Sequence, residues 1–180
     1  MKYGFWIGVA LATGVAGFIG YRYELQQIPR REMEKAEKGI ASRAGGYNHM
    51  LHPPRPTAQS RTVVRPSPDQ LYSACTYDLS DGAVVFEGTA PTDSYWSLSF
   101  FAHNSDNFFV VNDRELSQKA FSYTLVRQGD EAPEGIPEHQ IIRSPSNTGI
   151  VLQRVFIDRD ARAGELDAQR KSASCRLAQP

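Results

Sequence analysis

The chain has 180 residues, with Lys and Arg totalling 20 and Asp and Glu totalling 20. That balance offers no basic surface for neutralising phosphates, so a nucleic-acid partner is not expected. The first sixty or so residues differ in texture from the rest, which leaves about 120 for one folded domain, enough to bury a single core.

From Tyr3 to Tyr21 the sequence carries no charge, and as a helix this run spans about 28 Å, close to the roughly 30 Å of bilayer hydrocarbon. A secretion signal would need a small-x-small cleavage site in a polar stretch. The candidates, Ala10-Leu-Ala12, Ala12-Thr-Gly14 and Val15-Ala-Gly17, all lie inside the apolar run. Tyr21-Arg22-Tyr23 then supplies the aromatic and cationic edge expected where a retained helix leaves the bilayer. A permanent transmembrane helix over 1–23 is therefore expected. Within it Gly4, Gly8, Ala12, Ala16 and Gly20 recur at every fourth position. Helices in lipid associate by close backbone approach, so this stripe predicts packing against another helix or a tightly bound lipid or pigment. The charges pull both ways on topology. Lys2 precedes the span while Arg22, Arg30, Arg31, Lys35 and Lys38 follow it, but Glu24, Glu32, Glu34 and Glu37 are interleaved and long translocated domains obey the rule poorly.

Residues 24–62 read as a juxtamembrane helix followed by a linker. Pro29 suits a first helical turn, and Arg30 to Ala41 places Met33, Ala36 and Ile40 at helical spacing, with Glu34 and Lys38 positioned as an i,i+4 pair. Gly45-Gly46 and Pro53-Pro54-Arg55-Pro56 then predict an extended segment.

Residues 63–180 form the third region, a β domain whose strand texture begins at Gln70. Alternation predicts strands over Leu71 to Leu79, Ala83 to Gly88, Ser94 to Phe101, Asn107 to Val111, Phe121 to Arg127, Gln140 to Arg143 and Gly149 to Ile157, with Ser80-Asp81-Gly82 and Pro91-Thr92-Asp93 as turns. Asp160 to Ala173 reads as a closing helix capped by Asp160, with Ala163, Leu166 and Arg170 on one face. The expected fold is mainly β: one N-terminal transmembrane helix, a linker, then an antiparallel β-sandwich or jelly-roll-like domain with a C-terminal helix. Two cysteines are present, Cys75 in a strand and Cys175 near the end. They suit either a disulfide tying the tail to the sheet or two unrelated buried thiols.

The segments Pro68-Asp-Gln-Leu-Tyr-Ser-Ala-Cys75-Thr-Tyr-Asp78-Leu-Ser80, Ser94-Tyr-Trp96-Ser-Leu-Ser, Asn107-Phe-Phe-Val-Val-Asn112-Asp113-Arg114 and Gly149-Ile-Val-Leu-Gln-Arg-Val155 together resemble short alphaproteobacterial members of the domain of unknown function 1254 family. The resemblance runs from about Val64 to Cys175. It implies an N-terminal membrane anchor, an exported β domain on the periplasmic side of a bacterial inner membrane, and a Cys75–Cys175 disulfide. It also implies a family 1214 type protein as partner, since longer relatives carry both domains on one polypeptide. It brings no reaction, cofactor or catalytic residue.

The residues themselves offer little convergent chemistry. His49-Met-Leu-His52 has a spacing that two metal-binding imidazoles on a helix would share, but it adjoins the proline-rich stretch and reads as linker. Asn104-Ser-Asp106-Asn107 lacks the spacing of a calcium loop and reads as a hairpin turn, and Asn112-Asp113-Arg114 reads as a turn with a local ion pair. His103 and His139 fall near strand ends, where either could meet Asp78 or Asp113, and no Gly-x-Ser-x-Gly elbow is present. Tyr72, Tyr77, Tyr95, Trp96, Phe100, Phe101, Phe108, Phe109 and Tyr123 suit a core first and an apolar pocket second. No metal or cofactor is expected. The leading expectation is a non-enzymatic accessory or scaffold subunit, joined through its helix to a membrane partner or a second copy and through its β domain to a periplasmic protein. A binding module for a lipid or other apolar ligand, and a hydrolase using His103 or His139, are the alternatives.

Overall fold

A single helix, α1 (Lys2–Ala44), carries the apolar run and the charged segment without interruption. It belongs to a computed structural model that describes residues 2–61, 66–91, 93–116 and 118–178. The expected boundary between residues 62 and 63, and Thr92 of the expected turn, lie outside the described residues. At 1.5 Å per residue α1 is about 65 Å long. The expected break at Pro29 does not occur: Pro29 sits inside the helix, where its ring costs the Leu25 carbonyl its usual amide partner. Large apolar side chains from Tyr3 to Ile28 are exposed, whereas Met33, Glu37 and Ala41, at i, i+4 and i+8, are buried. The sequence spacing of Met33, Ala36 and Ile40 therefore marks the docked face.

Gly45 and Gly46 end the helix rather than begin a free linker. Gly45 takes φ +88° and the Gly46 amide donates to the Ala41 carbonyl at 2.9 Å, a cap that glycine adopts without the penalty a Cβ brings. The chain turns at once into β1 (Met50–Leu51), whose residues pair with Cys75 and Ala74. The β structure thus starts before residue 63. The proline-rich stretch beyond β1 is held too: the Pro53 carbonyl accepts from Arg170, and Arg55 reaches Asp160 at 2.7 Å.

Two sheets follow. Sheet A has the order β1, β2 (Gln70–Asp78), β8 (Thr148–Phe156), β4 (Trp96–Ala102), β5 (Asn107–Asn112). Sheet B has the order β7 (Ile141–Ser144), β6 (Ala120–Arg127), β3 (Val84–Thr89), β9 (Ser174–Leu177). The seven expected strands are all present, and the short β1 and β9 are additional. All ladders are antiparallel except β6 with β7, which is parallel. Residues 128–140 form the long connection that a parallel pair requires. Period-two alternation turns Leu71, Cys75 and Tyr77 of β2, Trp96, Leu98 and Phe100 of β4, and Val151 and Val155 of β8 inward against Val84, Phe86, Phe121 and Leu125 of sheet B. Phe86 meets Phe100 edge-on at 5.3 Å, and Trp96 lies 4.9 Å from Phe121. Tyr77, Trp96 and Phe100 thus serve the core, the first of the two roles expected for the aromatic set.

The C-terminal helix α2 (Ala163–Arg170) is shorter than expected, because Asp160–Arg162 forms a 3-10 turn. Asp160 does not cap it; its carboxylate pairs with Arg55 instead. Leu166 and Arg170 are buried from α2 as their shared face predicts. The tail then returns as β9, and Cys175 bonds to Cys75 across the sandwich.

Candidate functional site at the junction of helix and sandwich

Among the described residues, α1 meets convergent polar chemistry around Glu37. Its side chain is 3% exposed, and one carboxylate oxygen stands 3.0 Å from Nδ1 of His103, in the turn between β4 and β5. A helical side chain leans toward the N-terminus of its helix, which aims this carboxylate at β4 rather than at β2 above it. The Glu37 carbonyl accepts from Thr76 Oγ1 on β2 at 3.2 Å, so one residue bridges two strands. Farther down α1 the Pro29 carbonyl accepts from Ser105 Oγ at 3.0 Å.

Hydroxyls surround the imidazole without forming a nucleophile. The His103 amide donates to Ser146 Oγ, which itself donates to the Thr148 carbonyl. Thr148 Oγ1 approaches the same ring nitrogen that faces Glu37, at 3.4 Å. The network continues inward. Ser144 Oγ donates to the Ser146 carbonyl and meets the Tyr77 hydroxyl at 3.0 Å, and that hydroxyl donates to the Phe101 carbonyl. Burial pushes the Tyr77 phenol above its ordinary range. Gly149 makes room here: a Cβ on it would overlap the Tyr77 hydroxyl and the Phe101 carbonyl. The arrangement orients and fastens the helix, the β4–β5 turn and the start of β8 on one another.

Asn48 completes the junction. It adopts φ 59°, its amide donates to the Thr76 carbonyl, and its side chain accepts from the Asp78 amide at 2.8 Å while donating to the Asp78 carbonyl at 2.9 Å. On the far side, His52 Nδ1 meets Ser73 Oγ at 2.8 Å and Nε2 meets the Ala173 carbonyl at 3.2 Å. Burial first, and Arg170 second, push this imidazole below its ordinary value of 6.5. Arg170, fully buried, donates to the Tyr72 carbonyl and pairs with Asp167. Burial alone would raise the Asp167 carboxyl, but Lys171 and Arg170 hold it below the usual range.

The other flagged residues separate. His49 is exposed and bonds the Tyr47 carbonyl, so the two histidines of His49-Met-Leu-His52 share no ligand position. His139 lies exposed in a 3-10 turn, and His103 meets Glu37 rather than Asp78 or Asp113. Asn104 and Asp106 bond each other in the β4–β5 turn. In the turn after β5, Asp113 accepts from the Trp96 amide at 3.4 Å instead of pairing with Arg114. A shallow, open hollow of about 380 Å³ is lined by Tyr95, Asn112, Asp113 and Arg114. Gly4, Gly8, Ala12, Ala16 and Gly20 are all exposed on α1. A four-residue step advances about 40° around an α-helix, so their stripe winds through about 160° from Gly4 to Gly20.

Glu37 and Asn48 escaped sequence reasoning for different reasons. Glu37 looks like one more charge in a solvated run, and its burial between Met33 and Ala41 at four-residue spacing was the available signal. Asn48 after Gly45-Gly46 resembles turn chemistry, which it is, but its partners lie thirty residues away.

No curated protein matches the chain in sequence. The crystal structure of the VPA0106 protein from Vibrio parahaemolyticus matches with a TM-score of 0.61 at 16% identity, over 84% of this chain and 36% of that one. A crystal structure of an uncharacterised protein from Burkholderia cenocepacia matches with a TM-score of 0.47 at 17% identity, over 89% of this chain and 43% of that one. The chain thus spans less than half the length of either. A family model described as a protein of unknown function, DUF1254, covers residues 47–176, from the turn after α1 into β9 and including both cysteines, and the chain belongs to that family.

Proposed function

We propose that this protein is a membrane-anchored accessory or scaffold subunit without catalytic activity of its own. Its apolar helix spans a bacterial inner membrane, and its disulfide-closed β domain stands on the periplasmic side. The observation that supports this reading best is the division of α1: its first part exposes apolar side chains on every side, while Met33, Glu37 and Ala41 fasten its last part to the sandwich. A helix so divided suits lipid at one end and a folded load at the other. The disulfide fits an oxidising compartment. The stripe from Gly4 to Gly20, winding about the helix axis, suits a right-handed crossing with a partner helix. The longer fold relative carries further chain beyond the matched part, which fits a second polypeptide of the 1214 type, or another copy, supplying a partner in trans.

Replacing Gly8 and Ala12 together by Leu tests the reading. Co-purification from native membranes in mild detergent should yield a partner with the parent protein and lose it with the variant. An unchanged complex would remove lateral docking, and a protein recovered in the aqueous fraction would remove the anchor.

A further inference from the structure

The contacts of α1 rank the strands of sheet A by height. Leaving its cap, the chain pairs as β1; Glu37 then touches Thr76 on β2 and reaches His103 at the end of β4; lower still, Pro29 meets Ser105 in the turn that leads into β5. Strand order in the sheet runs the same way, β1, β2, β8, β4, β5. The strands therefore lie across α1, stepping down it at about 4.8 Å each, and β5 is the lowest. Only residues 22–28 separate Pro29 from Tyr21, about 12 Å of helix. The headgroup layer itself occupies roughly 5–8 Å on each side of the hydrocarbon.

The chemistry of this low edge fits that height. Asn107-Phe-Phe-Val-Val-Asn112 carries no charge, and the outer edge of β5 has no partner strand among the described residues. An uncharged, β-branched and aromatic edge with no Lys or Pro to blunt it invites pairing unless something covers it. Outside α1, the exposed large apolar side chains among the described residues are Tyr95, Val110, Phe156 and Leu177. Tyr95, Val110 and Phe156 share the outer face of sheet A, on or beside β4, β5 and β8. The acids nearby are engaged in local turn bonds, although Asp106 and Glu115 remain exposed. Asp106 accepts from Asn104, Asp113 from the Trp96 amide and Glu115 from the Asn112 amide. Arg114 and Lys119 are exposed with no carboxylate partner among the described residues. A tyrosine with cations beside an apolar strand is the composition of a membrane interface.

We infer that the β5 edge of the sandwich faces the headgroup layer of an anionic bilayer, with β5 and its Val110 nearest the layer and Arg114 and Lys119 reaching its phosphates. The sandwich then lies on its side rather than standing off the membrane. The inference depends on the membrane-spanning reading of α1 given above.

The test uses the full chain with its disulfide intact, in vesicles of phosphatidylethanolamine and phosphatidylglycerol. Single cysteines at V110C, V15C and K171C carry an environment-sensitive fluorophore, and a nitroxide quencher sits near the glycerol level of the lipids. Lys171, beside α2 at the opposite edge, is the aqueous reference. Emission at 110 is expected to fall by roughly half and at 171 very little, as their heights demand. Substituting R114Q with Lys119→Gln should reduce the loss at 110 while leaving that at 15 unchanged. Quenching at 15 without quenching at 110 would overturn the inference and leave the anchor standing. Position 110 shielded from aqueous iodide yet untouched by the lipid quencher would overturn it too, placing a polypeptide on β5. No quenching at 15 would overturn the anchor, and the inference with it.

Discussion

Replacing His103 by Ala should weaken the attachment of α1 because it strands a carboxylate. Glu37 is 3% exposed, and His103 at 3.0 Å is the side chain that faces it among the described residues. Removing one partner of a fully buried pair costs about 3–5 kcal/mol. The His103 side chain is 38% exposed, however, so water can enter the vacated space and the cost should drop to about 2 kcal/mol. In contrast, E37L removes the buried charge and leaves an apolar residue between Met33 and Ala41, a change expected to be neutral or mildly stabilising. H103A placed on the E37L background should then cost little, giving a coupling of about 1.5 kcal/mol in the double-mutant cycle.

The assay is urea unfolding of the detergent-solubilised chain with Trp6 replaced by Phe, so that the buried Trp96 reports the sandwich, read together with hydrogen exchange at α1 residues 33–44. H103A should speed exchange there before it moves the Trp96 transition. Equal costs for H103A with and without Glu37 would refute the reasoning, since the imidazole would then be contributing through something other than the carboxylate.

Four further outcomes follow from other contacts. Reducing the disulfide, or substituting both cysteines by Ala, opens a closure of 100 residues in sequence separation and should lower unfolding stability by about 4.7 kcal/mol in the chain-entropy model, read as a fall in the urea midpoint. G149A should cost about 2 kcal/mol by overpacking against Tyr77 and Phe101, with the same unfolding curve as readout. His52 favours its neutral form in the folded state, so the unfolded chain binds the proton more readily; its contribution is present above its ordinary 6.5 and is lost as pH falls below that value. H52Q should flatten stability against pH in that window, and an unchanged profile would remove His52 from the account. P29A restores an amide for the Leu25 carbonyl and should raise the thermal stability of α1, followed by far-ultraviolet circular dichroism.

Much of the sandwich was legible because its strands alternate. Ser73, Cys75 and Tyr77 turn inward while Tyr72 and Ala74 do not, and a two-residue period survives tertiary packing. Both expected helical segments are helical, but the joint between them was misread. Pro29 signals a boundary on local grounds, yet one lost hydrogen bond in a 43-residue helix is outweighed by the continuity of the turns on either side. β1 and β9 were not legible, since Met50–Leu51 has no periodicity to show and Ser174–Leu177 is as short as a turn. Both exist because a neighbour supplies the ladder. The junction was the least legible of all: Glu37 and His103 stand 66 residues apart, and a single sequence holds no information that pairs them.

The braces of the molecule converge on one strand. β2 takes α1 through Thr76, the Asn48 clamp at Thr76 and Asp78, β1 at Ala74 and Cys75, the disulfide at Cys75, and the His52 and Arg170 contacts at Ser73 and Tyr72. Its other edge pairs along its full length with β8. Displacement of α1 is therefore delivered to the strand that the rest of the sandwich holds most tightly, and β2 can shift only by breaking several independent contacts at once. β5, at the far edge of the same sheet, is bonded to it on one side only among the described residues. The proposed anchoring role would draw on this distribution of bonds, with α1 held through β2 and the β5 edge left for a further contact.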